Sequence, residues 1–146
     1  MADTDTAPPV LGVLESALYA DDLTAATHFW QDVMGLTPFA SAPDRHVFFR
    51  VTDGPVPQIL LIFRAEATIA PRPKSQIPPH GTTGPGHFCL AVAKEALDAW
   101  VAHLDAKGVA IEADLTWPSG ARSVYFRDPA GNSIELADPA IWPPLT

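Results

Sequence analysis

The segments Arg45 to Arg50, RHVFFR, and Arg122 to Arg127, RSVYFR, write one short apolar pattern between arginines twice along the chain. Working outward from each copy, the same signals recur in the same order. Upstream of the first, Val13 to Ala20 (VLESALYA) reads as a strand, with Asp21 and Asp22 as helix-capping residues. Leu23, Ala26, Trp30 and Val33 then recur at helical spacing, Phe29 and Met34 widen the stripe, and Gly35 sits where a left-handed terminal residue is expected. Upstream of the second, His87 to Val92 (HFCLAV) reads as a strand, and Lys94 to Lys107 carries Leu97, Trp100, Val101 and Leu104 on one face before Gly108. A further strand is expected after each helix, around Thr37 to Ser41 and Ala110 to Leu115. Downstream, turns at 52 to 54 and 128 to 132 lead into Gln58 to Phe63 and Ser133 to Ala137, so each half ends in a β-hairpin.

Each half is therefore βαβββ. The fold class is α+β, with two such modules forming a curved mixed sheet that cups a central cavity, helices outside. The expected organisation is a flexible N-terminal tail over 1–12, one domain over 13–139 and a C-terminal tail over 140–146. Within the domain, module one runs over 13–64, a crossover over 65–86 and module two over 87–139. The crossover is too long for a tight turn and too rich in proline for a helix, which leaves a surface connection or a flap.

Composition narrows the function classes. With 146 residues and 47% apolar residues the chain can bury one core of ordinary size. The formal net charge of −8 and the scattering of nine lysines and arginines speak against nucleic acid. No apolar run reaches the roughly 18 residues of a membrane helix, and Met1 to Pro9 is polar and acidic, so no membrane role and a cytoplasmic location are expected. The single cysteine, Cys89, cannot form an internal disulfide, in keeping with a reducing compartment.

Placing the halves in register sets Glu15 opposite His87, and Glu135 opposite Leu61 or, with a one-residue slip, Leu60. Alternation puts His87, Cys89 and Ala91 on the face away from Phe88, Leu90 and Val92, and Glu135 away from Ile134 and Leu136. Taken singly, each polar residue reads most simply as a solvated strand residue. Three of them at repeat-related positions, on a face that sheet curvature turns into a cavity, suit a divalent cation of the Zn, Ni, Co, Mn or Fe kind.

The stretches LESALYADDLTAATHFWQDVMGL, GPGHFCLAV and RDPAGNSIEL resemble the vicinal oxygen chelate superfamily, which includes glyoxalase, bleomycin-resistance proteins, fosfomycin-resistance enzymes and extradiol dioxygenases. The likeness runs from about Val13 to Pro139. It implies paired βαβββ modules cupping one divalent metal, with Glu15, His87 and Glu135 as ligands. The fourth position, a carboxylate in glyoxalase, is leucine here. The resemblance further implies a small-molecule substrate and a homodimer, for which the apolar group Ala140, Ile141 and Trp142 could cover a subunit edge. The first functional expectation is a metal-dependent lyase or isomerase acting on a carbonyl or hydroxy-carbonyl compound, with Glu135 or Glu15 moving a proton. The alternatives are an Fe(II) extradiol-type dioxygenase, against which Glu15 in place of a histidine counts, and a bleomycin-resistance-like protein that sequesters a ligand without chemistry.

Around this constellation, His80 could cover the metal as an acid or base, although a loop histidine is more often simply exposed. Tyr19, Leu61, Phe63 and Trp117 could form a stacking surface for a flat molecule. Arg122 and Arg45, at equivalent strand entrances, could clamp an anion or pair with neighbouring carboxylates. Tyr125 and His46 alternate with core residues and could point either way. His28 and His103 lie off the helical apolar stripes and are expected to be solvated.

Overall fold

A computed structural model of the chain describes residues 6–145; the expected tails extend beyond these bounds at Met1 to Asp5 and at Thr146, which lie outside the described residues. The first half folds as β1 (Glu15–Tyr19), α1 (Leu23–His28), β2 (Thr37–Ala42), β3 (His46–Thr52) and β4 (Gln58–Phe63). A short helix α2 (Ala65–Ile69) opens the crossover. The second half repeats the order as β5 (His87–Ala91), α3 (Leu97–Ala106), β6 (Ala113–Thr116), β7 (Arg122–Arg127) and β8 (Ser133–Ala137). The sheets have the orders β1-β4-β3-β2 and β5-β8-β7-β6, with the first pair in each parallel and the others antiparallel. Two βαβββ modules with open, curved mixed sheets are thus present.

Helix α1 departs from a regular helix in a way that matters for packing. Asp22 caps it by accepting a hydrogen bond from the Ala25 amide at 2.9 Å. Beyond His28 the chain continues as a π-helical segment, Phe29–Val33, closed by the Met34 amide donating to the Phe29 carbonyl at 3.0 Å. The wider turn keeps Phe29, Trp30, Val33 and Met34 all buried, more than one stripe of a regular helix would hold. Gly35 and Gly108 end the two helical stretches with φ of 72° and 75°.

The modules meet through their apolar faces in one continuous core. Leu18, Val47, Phe49, Leu60 and Ile62 from the first sheet join Val124, Phe126, Ile134 and Leu136 from the second. The π-helical segment bridges them: Phe29 lies 6.3 Å from Phe126, and Trp30 meets Phe88 edge-on at 5.9 Å between ring centres. His103 is not solvated as expected but half-buried, its Nε2 donating to the Val33 carbonyl at 2.7 Å. That carbonyl belongs to the π-helical end, where regular intrahelical partners run out.

Asn132 ties the second hairpin turn to both modules. Its Oδ1 accepts from the Gly86 amide at 2.7 Å, while Nδ2 donates to Asp128 Oδ2 at 3.0 Å and to the Tyr19 carbonyl at 3.4 Å. The crossover is less irregular than its prolines suggested, because AEATI precedes the first of them, Pro71, and forms α2. Among the described residues no helix is long and apolar enough to cross a membrane.

Trp30 is fully buried and its indole Nε1 has no hydrogen-bond partner. Trp30→Ala should cost about 3–5 kcal/mol. Trp30→Phe removes the unpaired donor together with part of the volume, so it should cost less than about 2 kcal/mol. Urea denaturation of both variants checks the order; both lose the N–H, so equal losses would show that a phenyl ring recovers none of the packing at this site.

Candidate functional site

The polar faces of the two sheets lie opposite the shared core. In the second module β5 and β8 pair His87 with Ser133 and Cys89 with Glu135, and β8 and β7 pair Glu135 with Tyr125. Strand alternation therefore sets His87, Cys89, Glu135, Tyr125 and Ser123 on one face. His87 Nδ1 lies 3.0 Å from the Ser133 carbonyl. A carbonyl only accepts, so Nδ1 carries the proton and the neutral ring turns the Nε2 lone pair outward. That lone pair faces Glu135 Oε1 at 3.3 Å. Glu135 is 5% exposed, and its Oε2 is buried with no hydrogen-bond partner.

Two electron-pair donors facing each other, one on a buried carboxylate, need a proton or a cation between them. A proton on the imidazole would serve, and so would a metal ion. The donor set of one imidazole nitrogen and one carboxylate with a spare oxygen fits a divalent first-row cation. The Ser133 carbonyl fixes the imidazole tautomer that such coordination requires.

The surroundings of Glu135 are set by the same carboxylate. The Cys89 thiol is pushed up to about 12, first by desolvation and then by the nearby charge of Glu135. Tyr125 is also raised, by desolvation and then by Glu135, against a hydrogen bond from Ser123 that lowers it. The Tyr125 and His87 rings stack at 6.3 Å, and Trp117, 40% exposed, donates Nε1 to Ser123 Oγ at 2.9 Å. Trp117 is thereby held at the edge of this face.

In the first module, the register pairs Glu15 with Ile59, Leu61 with Ala17 and Phe48, and Phe63 with Tyr19 and His46. Leu61, rather than Leu60, is thus the repeat counterpart of Glu135. Glu15 is exposed at the start of β1. Among the described residues no three His, Cys, Asp or Glu side chains lie close enough to hold a metal ion, so Glu15 does not join His87 and Glu135 within one chain. At the other end of β1, Tyr19 Oη lies 2.7 Å from His80 Nδ1, and His80 packs edge-on against Phe63 at 4.8 Å. The sequence left His46 open; the structure turns it onto this face, stacked on Phe48 at 4.2 Å.

Several assignments resolve differently from one another. His80 belongs to the aromatic group of the first module and not to the His87–Glu135 pair. Arg122 is tied to Asp114 at 2.8 Å through two nitrogens and to Asp98 at 2.6 Å, so its donors are occupied by the protein itself. Cys89 lies on the polar face where alternation placed it, and Phe48 lies on that of the first module although it was not singled out. The register of Cys89 with Glu135 and the alternation of RHVFFR are the signals that identify them.

The sequence profile described as glyoxalase/bleomycin resistance protein/dioxygenase superfamily matches residues 12–136. The chain belongs to that superfamily. Among solved structures, the lactoylglutathione lyase from Agrobacterium tumefaciens is 39% identical with a TM-score of 0.87, over 92% of this chain and 98% of that one. A glyoxalase/dioxygenase from Nostoc punctiforme is 25% identical, TM-score 0.66, over 95% and 99%. The fosfomycin resistance protein FosX from Listeria monocytogenes, 19% identical with a TM-score of 0.65 over 88% and 91%, shares the fold. No curated protein matches.

Desolvation is the first cause of the raised Cys89 thiol and the Glu135 carboxylate the second, so Glu135→Gln should lower that thiol part of the way. In chelator-treated protein at pH 8, alkylation of Cys89 by iodoacetamide should accelerate in the variant, since the thiolate is the reacting form. An unchanged rate would show that Glu135 does not control the thiol.

Proposed function

We propose that the protein is a divalent-metal-dependent enzyme of lyase or isomerase type, acting on a small substrate that chelates through carbonyl or hydroxy-carbonyl oxygens. The observation that carries this reading is the 3.3 Å approach of His87 Nε2 to Glu135 Oε1 beside the unpaired, buried Glu135 Oε2. His87 and Glu135 would hold the ion, and Glu15 would complete the set. When bound, the metal supplies Lewis-acid stabilisation of charge developing on the substrate oxygens.

The chain's own groups account for the rest. The Ser133 carbonyl orients His87, and Tyr125 and Cys89 flank Glu135 on neighbouring strands. Glu15, exposed, is free to take a proton from substrate carbon or return it, and Glu135 is the second carboxylate suited to that task. Leu61, Phe48 and Tyr19 provide an apolar wall that excludes water from the substrate. The 39% identity to a lactoylglutathione lyase supports the lyase reading. Its limit is Leu61, which stands where glyoxalase has a carboxylate.

Since Glu15 does not meet His87 and Glu135 within one chain, a second copy would supply it. The protein would then be a homodimer with two equivalent shared sites. The same aromatic face favours a second reading, ligand sequestration without turnover, because flat apolar molecules stack well on such a surface.

Metal analysis of protein purified without chelator should find about one divalent ion per chain under the shared-site arrangement. The ion should be lost in His87→Ala and in Glu135→Ala, and an absence of bound metal in the parent protein sinks the proposal. Mixing Glu15→Ala subunits with Glu135→Ala subunits should restore metal to one site of each hybrid dimer; no restoration would place all ligands in one chain. Metal-loaded protein should interconvert lactoylglutathione with methylglyoxal and glutathione, or another hydroxy-carbonyl pair. Metal binding with no turnover across such compounds supports sequestration.

A further inference from the structure

The six arginines of this acidic chain divide into two groups. Arg50 pairs with Asp53, Arg64 with Asp44 and Glu66, Arg122 with Asp98 and Asp114, and Arg127 with Glu112. Arg45 and Arg72 make no ion pair among the described residues. These two lie together. They line one recess with Thr68, Ser75 and His80, between the entrance of β3 and the crossover.

The recess is built from several directions. Arg45 donates Nη1 to His46 Nδ1 at 2.9 Å, its guanidinium carbon lies 5.6 Å from the centre of the Phe63 ring, and its Nε is buried without a partner. A guanidinium held against an aromatic face is already desolvated on one side, which strengthens its attraction for an anion reaching its open side. The His46 imidazole is held below its ordinary value, first by desolvation and then by Arg45 and Arg72, which favours the neutral ring able to accept the Arg45 hydrogen bond. The far wall is fixed because the His80 amide donates to the Thr68 carbonyl at 3.0 Å. A Cβ at Gly81 would lie 2.6 Å from Ile69 Cγ1, so only glycine allows the loop this close to α2.

The recess measures about 10 Å³, room for a single oxygen-sized atom. That favours the tip of a planar carboxylate over a tetrahedral phosphate or phosphonate, which would bring three oxygens. Its place on the sheet gives a length as well. Arg45 and His80 pack on Phe63, which pairs with Tyr19 at the end of β1, while Glu15 begins the same strand on the same face. Four residues of strand separate the two ends, roughly 13 Å at the rise of an extended chain.

We propose that Arg45 and Arg72 form a carboxylate-recognition subsite, which binds the free carboxylate of a substrate whose metal-chelating oxygens sit at the Glu15 end of the same face. The chemistry of the far end rests on the metal-enzyme reading above; the anion subsite itself does not. The substrate class is then an elongated carboxylic acid with its reactive oxygens at the opposite end.

Titration with sodium acetate, against sodium chloride and inorganic phosphate, can be followed by NMR of the Arg45 side-chain Nε–Hε and the His46 ring. Acetate should give saturable shifts at both that chloride does not give. The His46 shift, the readout that survives loss of the Arg45 guanidinium, should vanish in the Arg45→Gln/Arg72→Gln double variant, and both shifts should persist in Lys107→Gln. Arg45→Lys keeps the charge but lacks the planar fork, and should weaken the response while leaving the fold intact should the double variant prove unstable. No saturable shift, or an equal His46 shift in the double variant, overturns the subsite. A response to phosphate without one to acetate overturns the carboxylate assignment. Glu135→Ala should lose metal and keep the acetate response, so failure of the metal reading and failure of this one are told apart.

Discussion

The buried amide of Asn132 is the constraint from which the placement of the polar site follows. It sits in the second hairpin turn, yet its hydrogen bonds reach the Gly86 amide, immediately before His87, and the end of β1 at Tyr19. Gly86 must approach closely for this, since a Cβ there would meet Leu18 Cδ2 at 3.3 Å and Asn132 Oδ1 at 3.4 Å. One side chain thus sets the start of β5 against β8 and brings both against the first module. Its own orientation comes from Asp128, whose carboxylate accepts from the Asn132 amide and side chain and from Ala130. Burial holds the Asp128 carboxyl above its ordinary value, and these donors offset only part of that rise. The 3.3 Å meeting of His87 and Glu135 depends on that register.

Much of this architecture was legible in the repeat of RHVFFR and RSVYFR, because hairpins, period-two alternation and glycine stops are local signals. Glu135, His87 and the leucine opposite them could be placed by counting, and the strand register singles out Leu61. What the chain did not disclose was of another kind. The π-helical turn at Phe29 arises from packing against a sheet about a hundred residues away, and His103 is drawn inward by a carbonyl that only this turn leaves free. Whether Glu15 converges with His87 and Glu135 is a matter of how modules dock, on which local patterning is silent.

The equivalent arginines show how far a repeat can carry an inference. Arg45 and Arg122 occupy the same place in their modules. Arg122 could have clamped an anion or paired with carboxylates, and Asp114 on β6 and Asp98 at the start of α3 absorb it. The neighbours of Arg45 are instead Phe63, His46 and a crossover with no counterpart in the second half. Position in the repeat determined where each guanidinium would lie, and the non-repeated surroundings determined what remained for it to do.

The π-helical segment bears on how the two halves came to need one another. Helix α1 has only six residues before its hydrogen bonding changes, well short of the ~12–15 residues at which an isolated helix becomes marginal in water. The largest side chain of the π-helical segment, Trp30, is covered partly by Phe88 of the other half. A separated first module would have to hold this segment without the surface that covers it. The helix of one repeat is completed by the sheet of the other, so the two halves should unfold together as a single cooperative event.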